Sequence, residues 1–110
     1  MARLKIATQV LMLTSQIPEG KISTYGLIAE ALGNKNLSRV VGRSLRSNPN
    51  PITIPCHRVV HSDRQLGGYK GSSPSLEKAS LLRSEGILVN SNYRIPNSNW
   101  KNIIFNSFSP

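Results

Sequence analysis

Ser23-Thr24-Tyr25-Gly26-Leu27-Ile28-Ala29-Glu30-Ala31-Leu32-Gly33-Asn34, followed closely by Leu37-Ser38-Arg39-Val40-Val41-Gly42-Arg43-Ser44-Leu45-Arg46, reads as two short helices joined by a glycine-containing turn. Ser23 or Thr24 can cap the first, from Tyr25 to Leu32. Its apolar side is Leu27, Ile28, Ala31 and Leu32, and Gly33-Asn34 supplies its stop. In the second, Leu37, Val40, Val41 and Leu45 recur at i, i+3, i+4 and i+8 and face inward. Ser38, Arg39, Gly42, Arg43 and Arg46 are left facing out. This is a helix-turn-helix layout. An ordinary solvated helix pair carries charges of mixed sign on its outer face, whereas this face is all positive, which favours a recognition helix. Gly42 removes a side chain there and lets backbone approach backbone.

Outward from this pair, residues Leu4 to Ile17 carry apolar positions at Leu4, Ala7, Val10, Leu11 and Ile17. That is a helical stripe, ended by Pro18-Glu19-Gly20. Downstream, Ser47-Asn48-Pro49-Asn50-Pro51 is a turn, because each proline disfavours helix in the residue before it. Arg58 to His61 and Gln65 to Tyr69 flank Ser62-Asp63 and predict a short β-hairpin, the usual wing of such domains. Gly67-Gly68 permits close backbone approach. Ser73 and Pro74 open a last helix with Leu76, Ala79 and Leu82 inward, stopped by Glu85-Gly86. The expectation is a mainly α, small winged helix-turn-helix: a three-helix bundle with one hairpin. Residues 87–110 differ in character, rich in Asn and Ser with isolated Tyr93, Trp100, Phe105 and Phe108, and form a tail of uncertain structure.

The 110 residues suit one domain with a modest core. No apolar run approaches membrane-span length. Met1-Ala2-Arg3-Leu4-Lys5 has no signal-peptide layout, so an intracellular address is expected, cytoplasmic and nucleoid-associated, or nuclear in a eukaryote. Fourteen Lys and Arg against five Asp and Glu give a net charge of +9, which predicts a polyanionic partner. The surplus is concentrated at Lys35, Arg39, Arg43, Arg46, Arg58, Arg64 and Lys70, a span whose sole acid is Asp63. No long basic amphipathic helix of the interfacial type is present, so nucleic acid is favoured over a membrane.

Ile54-Pro55-Cys56-His57-Arg58-Val59-Val60 holds the only cysteine. A lone cysteine is by default a small buried hydrophobe, but Pro, His and Arg are poor company for that role. Pro55 suits the start of a helical turn. Cys56 would then lie where free backbone N–H groups and the positive end of the dipole stabilise a thiolate, the nucleophilic form. A metal site from Cys56, His57 and His61 is weak, since it lacks the paired spacing of structural zinc, and none is expected. A papain-like hydrolase is weaker, because its histidine would not adjoin its cysteine.

These residues resemble the DNA-binding and catalytic domain of the O6-alkylguanine-DNA alkyltransferases, the methylated-DNA–protein-cysteine methyltransferases. The likeness runs from Tyr25 to Gly86. Its most specific element is Asn48-Pro-Asn-Pro-Ile-Thr-Ile-Pro-Cys-His-Arg-Val-Val60. Ser23-Thr24-Tyr25-Gly26, Ser38-Arg39-Val40-Val41-Gly42 and Gly67-Gly68-Tyr69 follow in the family's order and spacing. The resemblance implies a cofactor-free suicide repair protein that flips O6-alkylguanine from double-stranded DNA and keeps the alkyl group on Cys56. It implies a Glu85–His57–water–Cys56 relay, a general-acid role for Tyr25, and Asn48 tying its turn to the active-site segment. Val59 through its carbonyl, Tyr69, Lys70 and Pro51 would line the base pocket. Arg39 would fill the gap left by the flipped base. Ser38, Gly42, Arg43 and Arg46 would meet DNA in the minor groove. The family's N-terminal domain is missing from the sequence, so residues 1–86 are expected to be the catalytic module alone, acting as a monomer. The related alkyltransferase-like proteins, which bind alkylated DNA without repairing it, carry Trp or Ala at the cysteine position. They supply the alternative, a non-catalytic sensor that recruits other repair factors.

Overall fold

In the computed structural model, which describes residues 5–69 and 75–109, the two predicted helices form as α2 (Tyr25–Ala31) and α3 (Ser38–Arg46). They follow α1 (Ile6–Thr14) and β1 (Ser23–Thr24), and precede β2 (Val59–Val60), α4 (Leu76–Ser84) and α5 (Trp100–Ile103). Three-residue 3₁₀ turns lie at Lys35–Leu37, Cys56–Arg58 and Asn97–Asn99. Thr24 caps α2, its hydroxyl accepting the Leu27 N–H at 3.0 Å. Gly33, at φ +97°, ends the helix where a side chain would be strained. The molecule is mainly helical, with α1, α2 and α3 packed on one another as the helix-turn-helix bundle.

The strand pairing differs from the expected hairpin. Val59 and Val60 pair in parallel with Ser23 and Thr24, in the register Ser23–Val59 and Thr24–Val60. Between Arg58–His61 and Gln65–Tyr69 there is instead a tight turn closed by the His61 N–H on the Gln65 carbonyl, 2.9 Å. Gln65 bridges antiparallel to Arg94 of the tail. The reason lies in β2 itself. Successive strand residues point to opposite faces, and Val59 and Val60 are both fully buried, which a hairpin standing off the surface could not achieve. Val59 joins an apolar cluster with Val10, Leu13, Ile28, Val41, Leu45, Cys56 and Tyr69. Val60 joins a second with Ile22, Leu66, Leu82, Ile87, Ile95 and Ile103. Two residues thus stitch two half-cores together, with Cys56 three positions upstream at the edge of the first.

The tail is part of this packing. Ile95 and Ile103 are buried in the second cluster, Phe105 and Phe108 pack on the first, and Ile104 bridges in parallel to Ile22. In α4 the N-cap is Ser75, whose hydroxyl accepts the Lys78 N–H; the expected start at Ser73 and Pro74 lies outside the described residues. Leu76, expected inward, is 73% exposed, and Lys78 is wholly buried instead. On a helix of 3.6 residues per turn the buried stripe is Ser75, Lys78, Ala79 and Leu82, at i, i+3, i+4 and i+7, and Leu76 falls just outside its edge.

Candidate active site

The turn Cys56–Arg58 presents three consecutive side chains to three different tasks. Cys56 and His57 are each 7% exposed. Two bonds from Asn48 hold the preceding loop in place. Its amide donates to the Ile54 carbonyl at 2.8 Å, and its side-chain oxygen accepts the Asn50 N–H at 2.9 Å. The Cys56 N–H is bonded to the Ile54 carbonyl at 2.7 Å, so it is not among the free N–H groups expected to face the sulfur. A turn of three residues also has little dipole to offer.

Behind the cysteine stands a carboxylate. Glu85 ends α4, where Gly86 at φ +87° lets the Ile87 N–H return to Leu82 and the Gly86 N–H to Arg83. This double closure fixes the direction of Glu85. One carboxylate oxygen lies 2.7 Å from His57 Nε2. Arg58 grips both oxygens in a fork, Nε at 2.8 Å and Nη2 at 2.9 Å, and gives Nη1 to the Ile17 carbonyl, in the turn that follows α1. Burial alone would raise the Glu85 pKa, but the bonds and charges of Arg58 and His57 outweigh it and hold the carboxyl below its ordinary value. Burial lowers the pKa of His57, and Arg58 and Lys78 push the same way against the opposing pull of Glu85. A neutral imidazole with its Nε2–H on a carboxylate keeps a lone pair on Nδ1. That atom is buried and has no hydrogen-bond partner among the described residues.

Tyr25, the first residue of α2, is the opposite kind of group. Burial, aided by the charge of Cys56, pushes its pKa up to about 12, so the phenol stays a donor at neutral pH. Tyr69 is buried with its ring set edgewise to His57, centroids 6.4 Å apart. The Val59 carbonyl accepts from Lys78 Nζ at 2.6 Å. Lys78 also donates to Leu66 and, at 3.2 Å, to Gly68, and its Nζ lies 5.8 Å from the Tyr25 ring centre. Burial, opposed by Cys56, brings its pKa down to about 7.

Cys56, His57, Glu85, Tyr25, Asn48, Val59 and Tyr69 therefore gather around two turns and the ends of α2 and α4. Pro51 is half-buried in the loop before the cysteine, and next to it Ile52 is 92% exposed. Lys70 lies outside the described residues. On α3, Arg39, Arg43 and Arg46 are exposed and Ser38 half-buried. Gly42 is less outward than expected: a Cβ there would stand 3.9 Å from the Tyr25 ring. Arg58, counted by sequence among the basic surplus, is spent on Glu85, and Arg64 Nε is bonded to the Ile95 carbonyl at 3.0 Å. Among the described residues no group of His, Cys, Asp and Glu could hold a metal ion, and no helix is long and apolar enough to cross a membrane.

Fold and site together define a helix-turn-helix protein whose single cysteine lies at the edge of its core, next to a histidine held on a carboxylate. A family profile described as "6-O-methylguanine DNA methyltransferase, DNA binding domain" matches residues 5–87, and the chain belongs to that family. The bifunctional methyltransferase/endonuclease of Picrophilus torridus is 39% identical over 108 residues, which are 98% of this chain and 34% of that protein. The methylated-DNA–protein-cysteine methyltransferase of Pyrobaculum aerophilum is 49% identical over 72 residues, 66% of this chain and 46% of that one. The structure of S. pombe Atl1 in complex with damaged DNA containing O6-carboxymethylguanine superposes with a TM-score of 0.78 at 25% identity, covering 94% of each chain. This chain spans about a third of the length of the first curated relatives it matches.

Proposed function

We propose that the chain is a DNA repair protein that binds duplex DNA, turns an O6-alkylguanine out of the stack and takes the alkyl group irreversibly onto Cys56. The observation that carries this reading is the anchored imidazole. With Nε2 held 2.7 Å from Glu85, the histidine next to the only cysteine has a lone pair at Nδ1 and a carboxylate behind it. Side chains of adjacent residues diverge, so the Cys56 proton reaches Nδ1 through a water. The thiolate attacks the alkyl carbon, an S–C bond forms, and the C–O6 bond breaks with its electron pair left on the base. Tyr25 donates its phenolic hydrogen to a ring nitrogen of the departing guanine. Lys78 holds the Val59 carbonyl and the Leu66–Gly68 segment at fixed spacing, which keeps the base slot open beside Cys56.

On DNA, the exposed arginines of α3 serve two purposes. Arg43 and Arg46 meet phosphates, and Arg39, near the start of the helix, enters the stack where the base has left. Extrusion of a paired base costs a few kcal/mol, which the inserted guanidinium helps to offset. The near-complete overlap with Atl1 favours one other reading, a sensor that binds the lesion and leaves it intact. A sensor has no use for a nucleophile with His57, Glu85 and Arg58 arranged behind it. Cys56→Ser separates the two. Under the transfer reading it binds an O6-methylguanine duplex with wild-type affinity in a gel-shift titration and acquires no alkyl group. Equal methyl uptake by Cys56→Ser and wild type would contradict the assignment of the nucleophile.

A further inference from the structure

The most exposed large apolar side chain among the described residues is that of Ile52, in the loop that joins the arginine-bearing helix α3 to Cys56. Single apolar residues on a surface are ordinary, but this one is not loose. Hydrogen bonds pin the loop on either side of it. The Asn48 N–H is bonded to the Leu45 carbonyl in the last turn of α3 at 3.1 Å, and the Ile54 N–H to the Asn50 carbonyl at 2.9 Å. The Asn50 side-chain oxygen accepts the Thr53 N–H at 3.2 Å, and Asn48 holds both Ile54 and Asn50. Pro51 fixes φ at the preceding position, and a β-branched side chain is stiff at χ1. The loop thus holds an apolar group out in solvent, where it adds nothing to the core, on backbone that folding has already ordered. A contact made there costs little further entropy.

We propose that Ile52 is a DNA contact, packing on the sugars and base edges of the minor groove beside the turned-out nucleotide; this rests on the duplex-binding part of the reading above and not on alkyl transfer. Its neighbours along the chain select this occupant. Arg46 lies six residues before Ile52, and Cys56 four residues after it. Four residues span at most about 14 Å, so Ile52 stands within about four base steps of a base delivered to Cys56. A duplex that lies along Arg39, Arg43 and Arg46 and hands a base to Cys56 passes the loop between them. Arginines on that path find phosphates, which hold the duplex without marking a place on it. An uncharged branched side chain instead matches deoxyribose and partly unstacked bases, and isoleucine is among the apolar residues that minor-groove proteins press against base steps. Ile52 therefore supplies an attraction that salt does not screen, close to the position of the lesion.

The test introduces Ile52→Ala, Ile52→Asn and Ile52→Val into the Cys56→Ser chain, so that the lesion is not consumed. Each is titrated with a duplex carrying one O6-methylguanine, by fluorescence anisotropy at several salt concentrations, and unfolded in urea. The expected result is binding about tenfold weaker for Ile52→Ala and Ile52→Asn, roughly what two methylene groups of a buried contact are worth. Ile52→Val should stay within threefold of the parent. The slope of log Kd against log salt should be the same in all four chains, because no phosphate contact is lost, and the urea midpoints should agree. An affinity for Ile52→Ala within twofold of the parent overturns the proposal. So does binding by Ile52→Asn as tight as by Ile52→Val, since bulk and not apolarity would then matter. A weakened Ile52→Ala with a lowered urea midpoint overturns it too, because the side chain would then support the loop. Failure of the duplex-binding reading shows separately, as a parent chain that does not bind the duplex at all, and it takes the Ile52 proposal with it.

Discussion

Glu85 is the residue on which the site depends most, because it holds His57 and Arg58 at once. Removing it strands a guanidinium that is 15% exposed, and leaving one partner of a largely buried pair alone costs about 3 kcal/mol. Glu85→Ala should therefore slow methyl transfer at least tenfold and lower the urea midpoint. Glu85→Gln, which can still accept from Arg58, should recover stability and little of the rate. A wild-type rate in Glu85→Ala, followed by intact mass, would remove the relay. Lys78 carries a pH prediction of its own. Its pKa is about 7 in the fold against 10.5 free, so between those values the unfolded chain binds more protons than the folded one. Its contribution to stability is present above 10.5 and is lost as pH falls through 7. Urea unfolding from pH 7 to 9.5 should show stability rising with pH in wild type and a flatter line in Lys78→Met. A parallel slope in the variant would contradict this. The two residues were not equally legible. Glu85 stood beside a helix-stopping glycine and followed from a family resemblance. Lys78 was missed because lysines are almost always exposed, although its place on the stripe Ser75, Lys78, Ala79, Leu82 was there to be read.

At the scale of elements, α2 and α3 were visible in the sequence because caps, periodicity and glycine stops agreed with one another. The parallel pairing of β1 and β2 was not, since a two-residue strand carries no period and its partner lies more than thirty residues away. The functional consequence falls on α3. With Arg58 and Arg64 engaged internally, the described cations of the basic span left for phosphate are Lys35, Arg39, Arg43 and Arg46. Arg43→Ala and Arg46→Ala should each weaken duplex binding and reduce the salt slope by about one unit. Arg39→Ala should instead transfer slowly from duplex O6-methylguanine while reacting like wild type with the free base. If Arg39→Ala and Arg43→Ala show equal duplex defects, both restored by lowering the salt, Arg39 is one more phosphate contact and the wedge is wrong.

At the scale of the whole molecule, the Asn- and Ser-rich stretch after Gly86 gave no periodic signal, yet it supplies Ile95 and Ile103 to the second half-core and lays Phe105 beside Ile22. Its backbone is tied there by Ile22 N–H to Ile103 at 2.8 Å and Phe105 N–H to Ile22 at 2.7 Å. Isolated apolar residues in a polar segment became legible only once the fold supplied a surface for them. Ile103→Ala should therefore lower the unfolding free energy by about 2–4 kcal/mol in urea titration, with the transfer rate of the folded protein unchanged; an unaltered midpoint would mean the tail does not support the core. The half-cores that the tail completes hold Cys56, His57 and Glu85 in register, and the account stands on what that register does. The most direct measurement is the intact mass of the wild-type protein after incubation with a duplex carrying one O6-methylguanine. The mass should rise by one methylene unit, at most once per chain, and the gain should lie on the peptide containing Cys56. An unchanged mass on protein that has bound the duplex would contradict transfer and leave the sensor reading in its place.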